Sequence, residues 1–452
     1  MFISNNPYTN THLKIYELLS SEQLNLKLQN TVNAQPTWQE IPLKERLIYI
    51  ENIGKLLLKH ADELAKLASA EIGKPVSQAK AEVLKCATVC SYYLNEAEKQ
   101  LAPQLENTEK GLVKLLFEPM GVILGIFPWN FPYWQIIRSA IPVITSGNTM
   151  LIKPAPNMPQ CALALQDIIN NSGLPEHVLQ TVMINEEQIA RLIANDNIAG
   201  VTLTGSDAAG SKVAEIAGRN IKKTVLELGG SDPLIILNDA DLDKHIPEIA
   251  LARLQNNGQS CVASKRFLVQ KDIKDAFLNK LVEHLQTLKI GDPQLPETQV
   301  GPLARIDLKV KLEQQVKISV QMGANIFWQM PHNVTSPCFY APLILTDIPD
   351  DAPAATEELF GPVFSIFSFN DINEAIAIAN NSPYGLGASI FSQNNDIAMH
   401  IAEKLKCGIV SINKMVKSDA RFPFGGVKKS GIGKELGSYG LKEFVNLKTV
   451  ML

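Results

Sequence analysis

The stretch GVTLTGSDAAGSKVAEIAGRNIKKTVLELGG, Gly200 to Gly230, decides the fold. It opens on an apolar run, turns at Thr204-Gly205-Ser206, continues as an amphipathic segment and closes on a second apolar run, TVLELGG. That order is strand, turn, helix, strand. Strands joined through helices pack as right-handed crossovers into a parallel sheet. The same texture extends upstream through GVILGIF, TMLIKP and LQTVMI, and resumes downstream in RFLV, VFSIFSF, ASIFS and GIVSIN. The expected class is α/β, with two doubly wound domains that meet near Leu228-Gly229-Gly230. The turn itself points backbone N–H groups from the positive end of a helix, which suits a pyrophosphate. It is not a GxGxxG fingerprint, and other βα turns share its appearance.

The flanks read differently. The first hundred residues look helical: between Pro42 and the Gly73-Lys74-Pro75 stop, Leu47, Ile50, Ile53, Leu57, Leu64 and Leu67 recur mostly every three or four residues. A further helix is predicted from about Val76 to Glu98. Gln100 to Phe117 interrupts the pattern, and the C-terminal EFVNLKTVML is again β-like. These segments read either as a small sheet that pairs with another subunit or as an ordinary hairpin and tail.

Composition removes several function classes. With 42 basic and 46 acidic residues the net charge is −4, which leaves no electrostatic footprint for nucleic acid or an anionic membrane. No apolar run approaches the ~18 residues of a membrane span. The first residues, MFISNNPYTN, lack the pattern of a secretory signal, so a cytoplasmic protein is expected. Six cysteines, at 86, 90, 161, 261, 338 and 407, do not form a disulfide framework and are expected to be thiols.

One thiol stands apart. In NNGQSCVASKRFLV, Cys261 follows a glycine turn and polar neighbours just before a strand-forming run. A lone cysteine is either buried filler or a nucleophile, and as a nucleophile it needs positive charge or a helix N-terminus nearby. None of the seven histidines sits in a local catalytic signature, and neither their spacing nor a CxxC offers a metal site. Glu227, at a strand end before two glycines, is either a carboxylate aimed into a cleft or a solvent-facing strand residue. In FPWNFP, two prolines stiffen the chain around Asn130, whose carboxamide is either an oxyanion donor or part of a tight turn.

Taken in order, PWNFP, VTLTGS, LELGGSDP, NNGQSC, EELFGPV and PFGGVKKSGIGKELG resemble the aldehyde dehydrogenase superfamily over nearly the whole chain. The resemblance implies a dinucleotide-binding domain at 1–99 and 118–228, a catalytic domain at 229–423, and oligomerisation strands at 100–117 and 438–452. It makes Cys261 the nucleophile, Glu227 the general base and Asn130, with the Cys261 N–H, the oxyanion hole. It gives Lys153 to the adenosine ribose, the Thr204-Gly205-Ser206 turn to the pyrophosphate, Glu358 to the nicotinamide ribose, and Phe360 and Trp129 to the cofactor cleft. The implied cofactor is NAD or NADP. Pro156 stands where NAD-preferring relatives commonly have a glutamate, which removes an obstacle to NADP. A homodimer or homotetramer is implied too.

Within the superfamily the chain most resembles the succinate-semialdehyde dehydrogenases. Arg138 matches a position that grips the substrate's distal carboxylate, and Ser418 and Arg421 of the SDAR segment are further candidates. Gln255 stands where some members carry a second arginine, a departure that keeps other small carboxylated aldehydes, such as glutarate semialdehyde, in view. A cysteine esterase or acyltransferase, a CoA-acylating enzyme and a non-catalytic scaffold are the competing functional readings.

Overall fold

In the computed structural model, which describes residues 1–452, the first element is a strand rather than a helix. β1 (Phe2–Asn6) pairs antiparallel with β2 (Thr11–Tyr16). The hairpin buries Phe2 and Ser4 and leaves most of β2 in solvent, so it carries no apolar run for a strand reading to rest on. The helices follow as expected. α1 (Ser21–Glu40) starts on a capping box in which Ser20 accepts from the Gln23 amide and the Gln23 side chain returns to the Ser20 amide. α2 (Leu43–Lys59) and α3 (Ala61–Ile72) divide the predicted helical stretch at His60, and α4 (Val76–Gln100) runs after the Gly73 stop, where φ is +72°. Leu47, Ile50, Ile53, Leu57 and Leu64 are buried in the main core, as their spacing requires.

After the hairpin strands β3 (Gln104–Thr108) and β4 (Gly111–Pro119), the chain winds the first large sheet. Its strands and helices alternate: β5 (Val122–Ile126), α5 (Trp134–Thr145), β6 (Thr149–Lys153), α6 (Pro159–Asn171), β7 (Leu179–Thr181), α7 (Glu186–Ala194), β8 (Ile198–Thr204), α8 (Asp207–Arg219) and β9 (Lys223–Glu227). The second sheet begins at β10 (Asp232–Ile236), with α9 (Leu242–Leu254), β11 (Ser264–Gln270), β12 (Asn325–Gln329), β13 (Leu343–Thr346), β14 (Val363–Phe369), β15 (Gly387–Phe391) and β16 (Ile409–Ile412). The chain then returns to the first sheet through β17 (Gly431–Ile432) and ends in β18 (Val445–Met451), which pairs with β4.

The first sheet has the order β17-β9-β8-β5-β6-β7 and the second β12-β13-β14-β11-β10-β15-β16; apart from β17 and β12, the pairings are parallel. Both are doubly wound. β10 escapes a sequence reading because it follows two glycines and contains Pro233, which the sheet tolerates through a register shift between Asp232 and Pro233. The segments at 100–117 and 438–452 contribute β3, β4 and β18 to one three-stranded antiparallel sheet apart from the two large ones.

One buried carboxylate fixes the segment that carries Asn130. Glu82 on α4 accepts from the Tyr133 and Trp134 amides, each at 2.9 Å, at the start of α5, and its other oxygen pairs with Lys74. The Lys74 ammonium also lies 3.6 Å from the Phe131 ring centre. Removing one member of a buried pair leaves an uncompensated charge. Glu82→Ala is therefore expected to lose about 3–5 kcal/mol of stability, read as a large fall in melting temperature, and a change under ~1 kcal/mol would contradict the clamp.

Candidate active site

In an open α/β sheet, ligands bind outside the carboxyl ends of the strands where the winding reverses. Here that reversal lies between β5 and β8. The segments leaving these two strands, Pro128-Trp129-Asn130 and Gly205-Ser206, line a cavity of about 400 Å³ together with Thr204, Cys261, Glu358 and Phe360. Ser206 caps α8, its hydroxyl accepting from the Ala209 amide at 3.3 Å, and the Asp207 carboxylate accepts from the Ala208 amide at 2.9 Å, so this positive helix end lies on the cavity wall with two of its first-turn amides capped by side chains. Trp129 and Phe360 meet edge to face at 5.9 Å on the wall. Glu358 accepts from the Gly230 amide at 3.2 Å and pairs with Lys265 at 3.1 Å. Lys153 does not line this cavity; its ammonium lies 5.6 Å from the Phe2 ring, under the N-terminal hairpin. Lys311, Gln315 and Tyr384 do line it and carry no motif that singles them out in the sequence.

Cys261 is held by an unusual turn. Asn256, Asn257 and Gly258 have φ of +52°, +59° and +79°, three left-handed residues in succession. At Gly258 a Cβ would also come within 2.4 Å of the Gly361 backbone, so both space and conformation demand glycine. Asn256 Nδ2 donates to Asn130 O at 2.6 Å, while Asn130 Nδ2 donates to Gln259 O at 3.1 Å. The carboxamide predicted as an oxyanion donor is thereby locked beside the thiol segment. Beneath it, buried Lys265 donates to the Ser260 and Cys261 carbonyls at 2.8 and 2.7 Å. Burial pushes the Cys261 thiol up to about 11, opposed by the positive charges of Arg138 and Lys265.

A second cavity, of about 500 Å³, reaches Cys261 from the other side. Arg138, Gln255 and Ser418 line it, as does Lys85, which the sequence reading passed over. Arg138 is not the helix-surface cation that its position also allowed. Every residue of α5 is buried, so its guanidinium finds internal partners: Glu435 by ion pairing, and Thr204 Oγ1 at 3.3 Å. Arg421, in contrast, is exposed, binds Asp419 at 2.7 Å and does not line the cavity. A two-residue spacing lets an arginine fold back on a neighbouring aspartate, and that local pair wins.

Glu227 closes β9, where it pairs with Gly431 of β17. Its side chain is buried, neither carboxylate oxygen has a hydrogen-bond partner, and it is directed toward Gly425 rather than lining either cavity. The cleft-facing orientation expected of it therefore requires a side-chain rotation. Burial, then the nearby Glu435 carboxyl, pushes its pKa up, against the pull of Arg138 and Lys434.

The thiol at the meeting of two cavities, beside a locked carboxamide, belongs to a known architecture. Residues 2–450 match the model of the aldehyde dehydrogenase family. A probable succinate-semialdehyde dehydrogenase [NADP(+)] of Synechocystis is 42% identical over 452 residues, covering 99% of this chain and 98% of its own. A succinate semialdehyde dehydrogenase [NAD(P)+] of Escherichia coli is 38% identical over 448 residues, covering 99% and 97%. The crystal structure of a succinic semialdehyde dehydrogenase from Streptococcus pyogenes in complex with NADP+ superposes with a TM-score of 0.98 at 34% identity, covering all of both chains. The chain is a member of the aldehyde dehydrogenase family.

Proposed function

We propose that the protein oxidises succinate semialdehyde to succinate with NAD+ or NADP+, through a thioester on Cys261. The observation that carries this reading is the placement of Cys261 between a crevice at the switch point of a doubly wound sheet and a second cavity lined by cations. The first cavity fits a dinucleotide, because the positive N-terminal end of α8, with the Ser206 hydroxyl, suits a pyrophosphate and Glu358 supplies an acceptor for ribose hydroxyls. When bound there, a nicotinamide supplies the hydride acceptor. Pro156 puts no carboxylate near the adenosine end, and this suits NADP as well as NAD. The relatives named above that carry these cofactors in their names support the same choice.

The residues then divide the work. The Cys261 sulfur, once deprotonated, bonds to the aldehyde carbon and the carbonyl oxygen takes the negative charge. Asn130 Nδ2 has one N–H committed to Gln259 O and a second free to donate to that oxygen, with the Cys261 N–H. With a nicotinamide bound to accept the hydride, collapse of the oxyanion would leave the acyl group on the Cys261 sulfur as a thioester. Glu227, turned toward the thiol, takes a proton from water as the water oxygen attacks the acyl carbon; the carbon–sulfur bond breaks and the thiol is restored. A raised pKa makes Glu227 a readier proton acceptor than a surface carboxylate.

The three-stranded sheet of β3, β4 and β18 exposes Leu105, Leu447 and Met451. We read it as the contact through which two or four copies assemble, and light scattering on the eluted protein should show a dimer or tetramer. A monomer at micromolar concentration would oppose that reading.

With succinate semialdehyde and NAD+ or NADP+, the wild type is expected to form reduced nicotinamide and Cys261→Ala none. Absence of turnover in the wild type with either cofactor would reject the substrate. Glu227→Gln should give a burst of reduced nicotinamide of about one per site and then a steady rate lower by roughly 10²–10⁴, because acylation survives and hydrolysis does not. Since burial raises the thiol to about 11, iodoacetamide labelling of Cys261 in the cofactor-free protein should climb from pH 7 to 10 without a plateau. A plateau near pH 7, followed by mass spectrometry of the Cys261 peptide, would show a thiolate already formed.

A further inference from the structure

Lys265, the second residue of β11, commits all three donors of a buried ammonium to the thiol segment and its neighbour. Its Nζ donates to Ser260 O at 2.8 Å and to Cys261 O at 2.7 Å, and pairs with Glu358 at 3.1 Å. No step of the proposed reaction uses it. The contact with Ser260 reaches further than the carbonyl itself. Ser260 O and the Cys261 N–H belong to one planar trans peptide and point in opposite directions, so an anchor on the oxygen fixes where the N–H points. That oxygen also accepts from the Ala263 amide at 3.1 Å, while the Cys261 N–H has no acceptor within the protein.

We propose that Lys265 is a positioning residue of the oxyanion hole: through the Ser260 carbonyl it orients the Cys261 N–H and makes it a stronger donor, an inference that rests on the function proposed above. A hydrogen bond from a cation draws electron density out of the accepting carbonyl, and linked hydrogen bonds polarise one another. The N–H at the far end of the same peptide gains positive character. The contact at Cys261 O holds the following peptide as well, so the backbone is restrained on both sides of the thiol. Glu358 balances the charge, and the ammonium stays at the carbonyls without leaving an unpaired cation in the interior. The other donor, Asn130 Nδ2, is set by different contacts, with Asn256 and Gln259, so the two halves of the hole are built independently.

The test uses two reactions of one thiol in the full-length, cofactor-free enzyme, each corrected for the rate in Cys261→Ala. With p-nitrophenyl acetate the Cys261 sulfur adds to the ester carbon, the carbonyl oxygen becomes an oxyanion, and its collapse expels p-nitrophenolate and leaves an acetyl thioester. With iodoacetamide the sulfur displaces iodide at carbon, and no oxyanion forms. Both begin with loss of the thiol proton to solvent. The ratio of acylation to alkylation rate therefore cancels the thiolate fraction, on which the Lys265 charge also acts.

Acylation is read from the burst of p-nitrophenolate and alkylation from the mass of the Cys261 peptide. Asn130→Ala, which removes the other donor, should lower the ratio about 10²–10³-fold. Lys265→Met keeps the length of the side chain and removes its charge and donors. It should lower the ratio about tenfold through slower acylation, because the N–H remains but loses its anchor. Lys265→Gln keeps a neutral donor and should lower it less; if Lys265→Met does not melt cooperatively, Lys265→Gln is read in its place. A ratio unchanged at Lys265 beside a lowered one in Asn130→Ala, or a fall that comes only from faster alkylation, overturns the role of Lys265 and leaves the proposed function standing. An unchanged ratio in Asn130→Ala overturns the oxyanion hole itself, and with it the reaction proposed above.

Discussion

Three consecutive left-handed residues, Asn256-Asn257-Gly258, set the position of everything around the thiol. A non-glycine residue in that conformation costs roughly 1 kcal/mol or more, so the turn persists only because its surroundings hold it. Asn257 donates to Gly73 O at 2.9 Å and to Pro302 O at 2.7 Å, and accepts from the Gly301 amide at 2.7 Å. Asn256 reaches Asn130 O, and Gln259 accepts from the Ala304 amide at 2.9 Å. This short stretch thereby bonds the end of α3, the segment after β5 and the loop near Pro302. The left-handed path stops α9 from continuing as a helix, and the chain that leaves Gly258 delivers Cys261 between the two cavities.

The same region shows how burial and charge oppose each other. Taking a thiol out of water raises its pKa, and Lys265 and Arg138 supply positive charge that lowers it without overcoming the burial. Lys265 achieves this while also donating to the Ser260 and Cys261 carbonyls and pairing with Glu358. One buried cation thus links the backbone of Cys261 to a residue of the neighbouring cavity. Across the site, Glu435 sits between Arg138, which it neutralises, and Glu227, whose proton affinity it raises. Glu227 is thus a buried carboxyl without a hydrogen-bond partner, held in the wall with a raised proton affinity.

Most of the strands were legible because parallel strands buried on both faces are short continuous apolar runs, and GVILGIF, GVTLTGS and RFLV are of this kind. The N-terminal hairpin was not, because half of it faces water and its alternation covers too few residues. The site divides along a similar line. Cys261, Asn130 and the Thr204-Gly205-Ser206 turn stand in local motifs whose backbone chemistry is written in adjacent residues. Lys85 and Ser418 meet across 333 positions of sequence, and no local pattern announces such a contact. Arg421 shows the opposite case: the cation near Ser418 in sequence is bound by its own neighbour, Asp419, a local pair that its position in the motif does not reveal.

The cations of the second cavity differ in how far they are matched inside the protein. A carboxylate entering a partly buried space loses hydration, and only a charge without an internal partner repays that loss in full. Arg138 sits deeper and already answers to Glu435, so drawing it toward substrate would weaken a buried pair. Lys85 has no such carboxylate partner and donates to Ser418 Oγ instead. The deep arginine is therefore committed to Glu435, while Lys85 stands half-buried at the cavity on a flexible four-carbon stem, and the two cations meet the same space with opposite degrees of internal neutralisation.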